Sequence, residues 1–103
     1  MFGQILTVVS GMVDPDREDD LAAAYRRVLA GVIPDGLLAS ALLRGEGHQW
    51  QIATLWRDRD ALDAMLDAMR ASADVPAAPQ VFRAVGTEPT LTVFEVTNGM
   101  LRT

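Results

Sequence analysis

The chain has 103 residues, half of them hydrophobic, with 14 acidic against 9 basic side chains for a net charge of -5, and it has no cysteine. That length holds one domain, residues 1–103, and the missing thiol removes disulfide frameworks, zinc ribbons, iron–sulfur ligation and thiol catalysis. The acidic balance speaks against a nucleic-acid groove, and since every basic residue is arginine there is no lysine for a Schiff base or a phosphate loop.

Met1 to Gln4 carry no basic leader, and the apolar stretch from Ile5 to Val9 is too short for a signal sequence or a membrane span. A cytoplasmic protein with no membrane partner is expected. Gln4 to Ser10 is rich in β-branched and apolar residues between Gly3 and Gly11, and reads as a largely buried strand. Asp14-Pro15 marks a helix start: the carboxylate is placed to cap, proline suits the first helical position, and Asp16, Glu18, Asp19 and Asp20 suit the positive end of the dipole. Leu21, Ala24, Tyr25, Val28, Leu29 and Val32 then recur on one helical face until Gly31 and Pro34 end it.

After the Pro34-Asp35-Gly36 turn, Leu37 to Arg44 is ambiguous by periodicity. It is read as a strand because Gly45-Glu46-Gly47 makes a hairpin loop into His48 to Arg57, where Trp50, Ile52, Thr54 and Trp56 alternate with Gln51, Ala53 and Leu55. Asp58 caps a second helix whose apolar stripe is Ala61, Leu62, Met65, Leu66 and Met69. The Pro/Ala stretch from Val75 to Pro79 reads as a connection inside the domain, Gln80 to Val85 as a short helix or turn, and Thr90 to Val96 as the last strand. The order is β-α-β-β-α-(short helix)-β, an α+β, ferredoxin-like split βαβ arrangement with a four-stranded antiparallel sheet.

Two amphipathic helices cover only one face of such a sheet. Leu37, Ala39, Ala41 and Leu43 are expected on one side of the second strand and Leu38 and Leu42 on the other, so neither side suits water. A second copy packed face to face, related by a twofold axis, is the simplest cover, and a homodimer through the sheet faces is expected.

Three phrases resemble the antibiotic-biosynthesis-monooxygenase (ABM) family of the dimeric α/β-barrel superfamily. Ile33-Pro34-Asp35-Gly36-Leu37-Leu38 is similar to its "PGF" turn, Thr54 to Leu62 (TLWRDRDAL) to its strand-to-helix phrase, and Thr92-Val93-Phe94-Glu95-Val96 to its closing strand. The resemblance implies a dimeric α/β barrel with a ligand pocket between sheet and helices in each subunit. It also implies a repertoire running from cofactor-independent oxygenases of polycyclic phenols to haem-degrading enzymes and small-molecule isomerases. In the cofactor-free oxygenases the substrate's own enolate supplies electrons to oxygen, so the protein binds an aromatic, stabilises an anion and excludes water. The chain departs from the family at two places. The oxygenases' first-strand Asn is replaced by Thr7, a weaker donor, while Asn98 lies near the C-terminus; and the one histidine, His48, is at a hairpin edge, unlike the axial ligand of the haem-degrading branch.

The candidate pocket residues are Thr7, Tyr25, Trp50, Trp56, Phe82 and Arg83. Trp50 and Trp56 either wall an aromatic pocket or fill the core and dimer seam; Tyr25 either presents its hydroxyl to a phenolate or holds its tip at water. Phe82 and Arg83 occupy the segment that lines the pocket mouth in relatives, where Arg83 is either an anion partner or a surface ion pair. His48 as a general base competes with a solvated hairpin imidazole, Met65 and Met69 read as core filling, and Glu95 as a barrel contact or rim residue. The carboxylates from Asp14 to Asp20 suit the helix dipole better than a metal, so neither metal nor cofactor is expected. Two readings of function follow. One is a cofactor-independent monooxygenase acting on a small aromatic or polyketide-like compound; the other is a non-catalytic small-molecule-binding or structural dimer.

Overall fold

In the computed structural model, which describes residues 3–71 and 78–100, the chain begins with strand β1, Ile5–Met12. A 3-10 turn, Pro15–Arg17, leads into helix α1, Glu18–Ala30; strands β2, Leu37–Arg44, and β3, Gln49–Trp56, form a hairpin. Helices α2, Arg59–Ala71, and α3, Ala78–Arg83, precede strand β4, Thr90–Glu95. All neighbours in the sheet are antiparallel, in the order β2-β3-β1-β4. This is the α+β, ferredoxin-like arrangement the sequence pattern calls for. The expected 75–79 connection lies outside the described residues up to position 77.

Local chemistry explains most element ends and corrects three expectations. Asp14 makes no side-chain cap bond; its carbonyl accepts from the Arg17 N–H at 2.9 Å, and Arg17 Nε pairs with Asp20 Oδ2 at 3.0 Å. Asp58 does cap α2, its Oδ1 accepting from the Ala61 N–H at 2.8 Å. That bond first, and the Arg57 guanidinium second, hold the Asp58 carboxyl below its ordinary value of 3.8 against an opposing desolvation effect.

Gly11 does not end β1. The strand continues to Met12, with Gly11 opposite Trp50, because a Cβ at Gly11 would stand 2.6 Å from Thr87 Cγ2 and 3.1 Å from Phe82 Cδ1. Its missing side chain lets α3 and the following loop close on the sheet.

The third correction concerns β2. Its register shifts between Leu37, opposite Trp56, and Ala39, opposite Leu55, so Leu38 is the extra residue of a bulge. Leu37 therefore shares the helix-covered face with Ser40 and Leu42, while Ala39, Ala41 and Leu43 share the open face. Simple alternation misassigns Leu37 because the bulge breaks the period of two.

On the covered face the core falls into two clusters. One gathers Val9, Val13, Leu21, Tyr25, Trp50, Ile52, Val81 and Phe82 beneath α1 and α3; the other gathers Ile5, Trp56, Ala61 and Leu62 beneath α2, with Leu37, Met65 and Leu66 packed against it. β4 is exposed along its whole length: Leu91 and Val93 on the helix side remain 44% and 39% accessible, and Phe94 on the other side 50%.

Two outcomes follow. Gly36 has φ +85° and an added Cβ would lie 2.5 Å from Ala61 Cβ, so Gly36→Ala should lower unfolding free energy by about 2 to 4 kcal/mol in urea titration. Because the folded Asp58 carboxyl titrates below its unfolded value, its contribution is present above pH 3.8 and is lost as pH falls through the folded value. Stability measured against pH should therefore fall less steeply on the acid side in Asp58→Asn, which keeps a cap acceptor but has no charge to neutralise.

Candidate functional site

Between the two core clusters runs a row of hydroxyls, one on each of strands β1, β3 and β2. Thr7 on β1 stands opposite Thr54 on β3, and Thr54 stands opposite Ser40 on β2. Thr7 and Thr54 are buried, so each needs partners of its own. The Trp56 indole N–H donates to Thr7 Oγ1 at 3.1 Å, and Thr7 Oγ1 donates to the Thr54 carbonyl at 3.5 Å. Ser40 Oγ and Thr54 Oγ1 lie 3.3 Å apart in a hydrogen bond, and the Tyr25 hydroxyl, reaching down from α1, donates to Ser40 Oγ at 2.8 Å. Helix, sheet and indole are tied into one polar seam.

Above this row lies a cavity of about 60 Å³. Trp56 and Ile52 line its sheet side, Tyr25 enters from α1, and Leu62, Met65 and Met69 of α2 close it from above. Val32 and Ile33, in the connection after α1, border it and are exposed apolar residues. Among the described residues no charged side chain lines the cavity, and the polar ones that do are the four hydroxyls and the indole. The volume suits a few water molecules and is well short of the ~300 Å³ of ordinary ligand pockets. Met65 and Met69 are unbranched and adaptable, so the α2 wall is the one able to yield to a larger guest.

Thr7, Tyr25 and Trp56 are thus brought together at the cavity, whereas Trp50, Phe82 and Arg83 stand outside its lining. The Trp50 indole donates to Glu18 Oε2 at 3.3 Å, and Arg44, 3.7 Å from Glu18, covers its ring at 4.8 Å. That arrangement pins the start of α1 to the β2–β3 hairpin. Phe82 is fully buried in the larger core cluster, and Arg83 pairs with Glu88 at 3.5 Å on the surface. Met65 and Met69 are cavity wall as well as core filling. His48 is exposed in the hairpin with φ +66°, its carbonyl accepting from the Val13 N–H at 3.0 Å. No group of three metal-ligating side chains occurs among the described residues, the acidic start of α1 included. Glu95 borders an open hollow with Gly3, Ile5, Arg59 and Val93 on the rim.

Sequence reasoning missed Ser40 and Thr54. The available signal was a threonine between Ile52 and Trp56 on a buried strand face and a serine inside the leucine-rich β2. The bulge hid the fact that Ser40 faces the helices.

The residues present do not fit a haem group. Among the described residues no imidazole lines the cavity and no cation there could meet a propionate, and the volume is far below that of a macrocycle.

Trp56 is 3% exposed, so Thr7→Val would leave its N–H without an acceptor. A loss of about 1 to 3 kcal/mol is expected, and in a double-mutant cycle Thr7→Val combined with Trp56→Phe should cost less than the sum of the two, measured by chemical denaturation.

No protein-family model matches the chain, and no curated protein matches its sequence. Solved structures do match its fold. SnoaB, a cofactor-independent oxygenase from Streptomyces nogalater, aligns over 97% of this chain and 99% of its own with a TM-score of 0.73 at 16% identity. MhuD, a haem degrader from Mycobacterium tuberculosis, aligns over 93% and 98% with a TM-score of 0.69 at 25% identity. A conserved protein from Methanosarcina mazei aligns over 91% and 93% with a TM-score of 0.69 at 12% identity. At these identities the likeness is one of fold, and structures named "putative antibiotic biosynthesis monooxygenase", from Deinococcus radiodurans and Caulobacter crescentus, share it.

Proposed function

We propose that the protein is a monooxygenase of the antibiotic-biosynthesis type that works without a cofactor on a small apolar, enolisable aromatic compound. The observation that carries this reading is the uncharged cavity between sheet and helices, whose polar side chains are hydroxyls and one indole, in a fold shared with SnoaB. In such a reaction a ring CH₂ that equilibrates with its enol loses two hydrogens and gains one oxygen atom, and the second atom of O₂ leaves as water. The substrate supplies the electrons. The chain's part is to exclude water, hold the ring against Trp56 and place its oxygen beside the hydroxyl row. Among the described residues Tyr25 is the one titratable side chain in the lining, which also favours a second reading: a dimer that binds the same class of molecule without transforming it.

The assembly we propose is a homodimer through the open sheet face. Leu6, Val8, Ala39, Ala41, Leu43, Ala53, Leu55 and Phe94 occupy that face, and among the described residues no helix covers it. A face of this kind is self-complementary across a twofold axis.

Two measurements test these readings. Oxygen uptake with reduced phenols of one to three rings should exceed the protein-free rate, with one-ring compounds favoured, and should fall about tenfold or more in Trp56→Phe. A panel in which no compound exceeds the control removes the oxygenase reading. Sedimentation should give twice the chain mass, and Ala53→Glu, a charge at the centre of the open face, should give a monomer with unchanged helix and strand content; a folded wild-type monomer would sink the dimer.

A further inference from the structure

We infer that the Tyr25–Ser40–Thr54 hydroxyl chain selects the ligand, and that what it selects is a neutral, mainly apolar molecule carrying one acceptor oxygen. The inference rests on the cavity being a ligand site, as proposed above, and adds the chemistry of what enters it.

The argument is a count of hydrogens. Among the described residues the cavity's polar side chains hold five donor hydrogens: four on the hydroxyls of Thr7, Tyr25, Ser40 and Thr54, and one on the Trp56 indole. The indole hydrogen goes to Thr7, the Thr7 hydrogen to the Thr54 carbonyl and the Tyr25 hydrogen to Ser40. One further hydrogen is shared between Ser40 and Thr54, in whichever direction. Four are spent and one remains. It sits on Thr54 if Ser40 donates and on Ser40 if Thr54 donates, so in both cases the unspent donor is at the middle of the cavity floor.

A ligand carbonyl or ether oxygen seated there completes the seam, whereas a hydrocarbon of the same shape leaves the hydrogen unpaired. Charge is disfavoured for a separate reason. Among the described residues no Asp, Glu, Arg or His lines the cavity, so an ammonium or a carboxylate would shed its hydration and meet no counter-ion from them.

The test is a set of four one-ring probes of matched size: cyclopentanone, methylenecyclopentane, cyclopropanecarboxylate and cyclopentylammonium. Binding is followed by the Trp56 indole N–H resonance, told apart from that of Trp50 with Trp50→Phe. The expected result is that cyclopentanone binds about five- to tenfold more tightly than methylenecyclopentane and that the two ions bind more weakly than either. Tyr25→Phe should preserve the ratio, because Ser40 and Thr54 still share one bond and leave one hydrogen. Tyr25→Phe/Ser40→Ala/Thr54→Val removes the chain as a unit, strands no partner, and should bring the ratio to about one, methylenecyclopentane gaining affinity because no hydrogen is left for it to strand. Equal affinity for ketone and alkene in the wild type overturns the inference while leaving the cavity a ligand site, and this comparison stands even if the triple variant does not fold. A ratio that survives in the folded triple variant, or an ion that matches the ketone, also overturns it. If no probe binds, the ligand site itself is lost and the inference with it.

Discussion

Buried hydroxyls at the centre of a sheet have to find partners within the protein, and most of this structure is arranged around meeting that demand. Thr7, Thr54 and Ser40 cross three strands at one level, where apolar side chains would otherwise have joined the two core clusters into one. A lone buried hydroxyl costs on the order of 1 to 3 kcal/mol when unpaired. The Trp56 indole and the Tyr25 phenol relieve that cost from opposite ends of the row, and in doing so fix the positions of β3 and α1 against the sheet. The seam that makes the interior polar is also what keeps a cavity open above it.

The helices divide their work along the same line. α1 and α3 cover the cluster around Phe82 and Ile52, drawn close by the bare backbone of Gly11, and the Glu18–Arg44–Trp50 contact ties that end down. α2 covers the smaller cluster around Trp56 and Leu62 and reaches the cavity through methionines instead of branched side chains. One wall is therefore close-packed and the other lined by adaptable side chains.

The other face of the sheet carries a different constraint. Its apolar residues come from all four strands, and β4 is exposed on both sides, so this half of the molecule has the surface chemistry of an interior. Burying it against a second copy would take these apolar side chains out of water. It would also give β4, joined to the rest of the chain by its pairing with β1, a packed neighbour.

Much of the fold was legible in the amino-acid sequence: element order, the β2–β3 hairpin, the Asp58 cap and the apolar stripes of both helices all follow from local periodicity and turn chemistry. Of the site, Thr7, Tyr25 and Trp56 were legible as buried polar or aromatic residues on the right faces. Tertiary structure alone decided the rest. The bulge at Leu38 turns Ser40 toward the helices, and strand register sets Thr7, Thr54 and Ser40 side by side although 47 and 14 residues separate the successive pairs. Phe82, Arg83 and Trp50 were sent elsewhere by packing around Gly11 and by the ion pairs of Glu88 and Glu18. Sequence spacing reports which face of its own element a residue occupies; it carries no information about which residue of another element lies opposite, and a shared hydrogen-bond seam depends on that pairing.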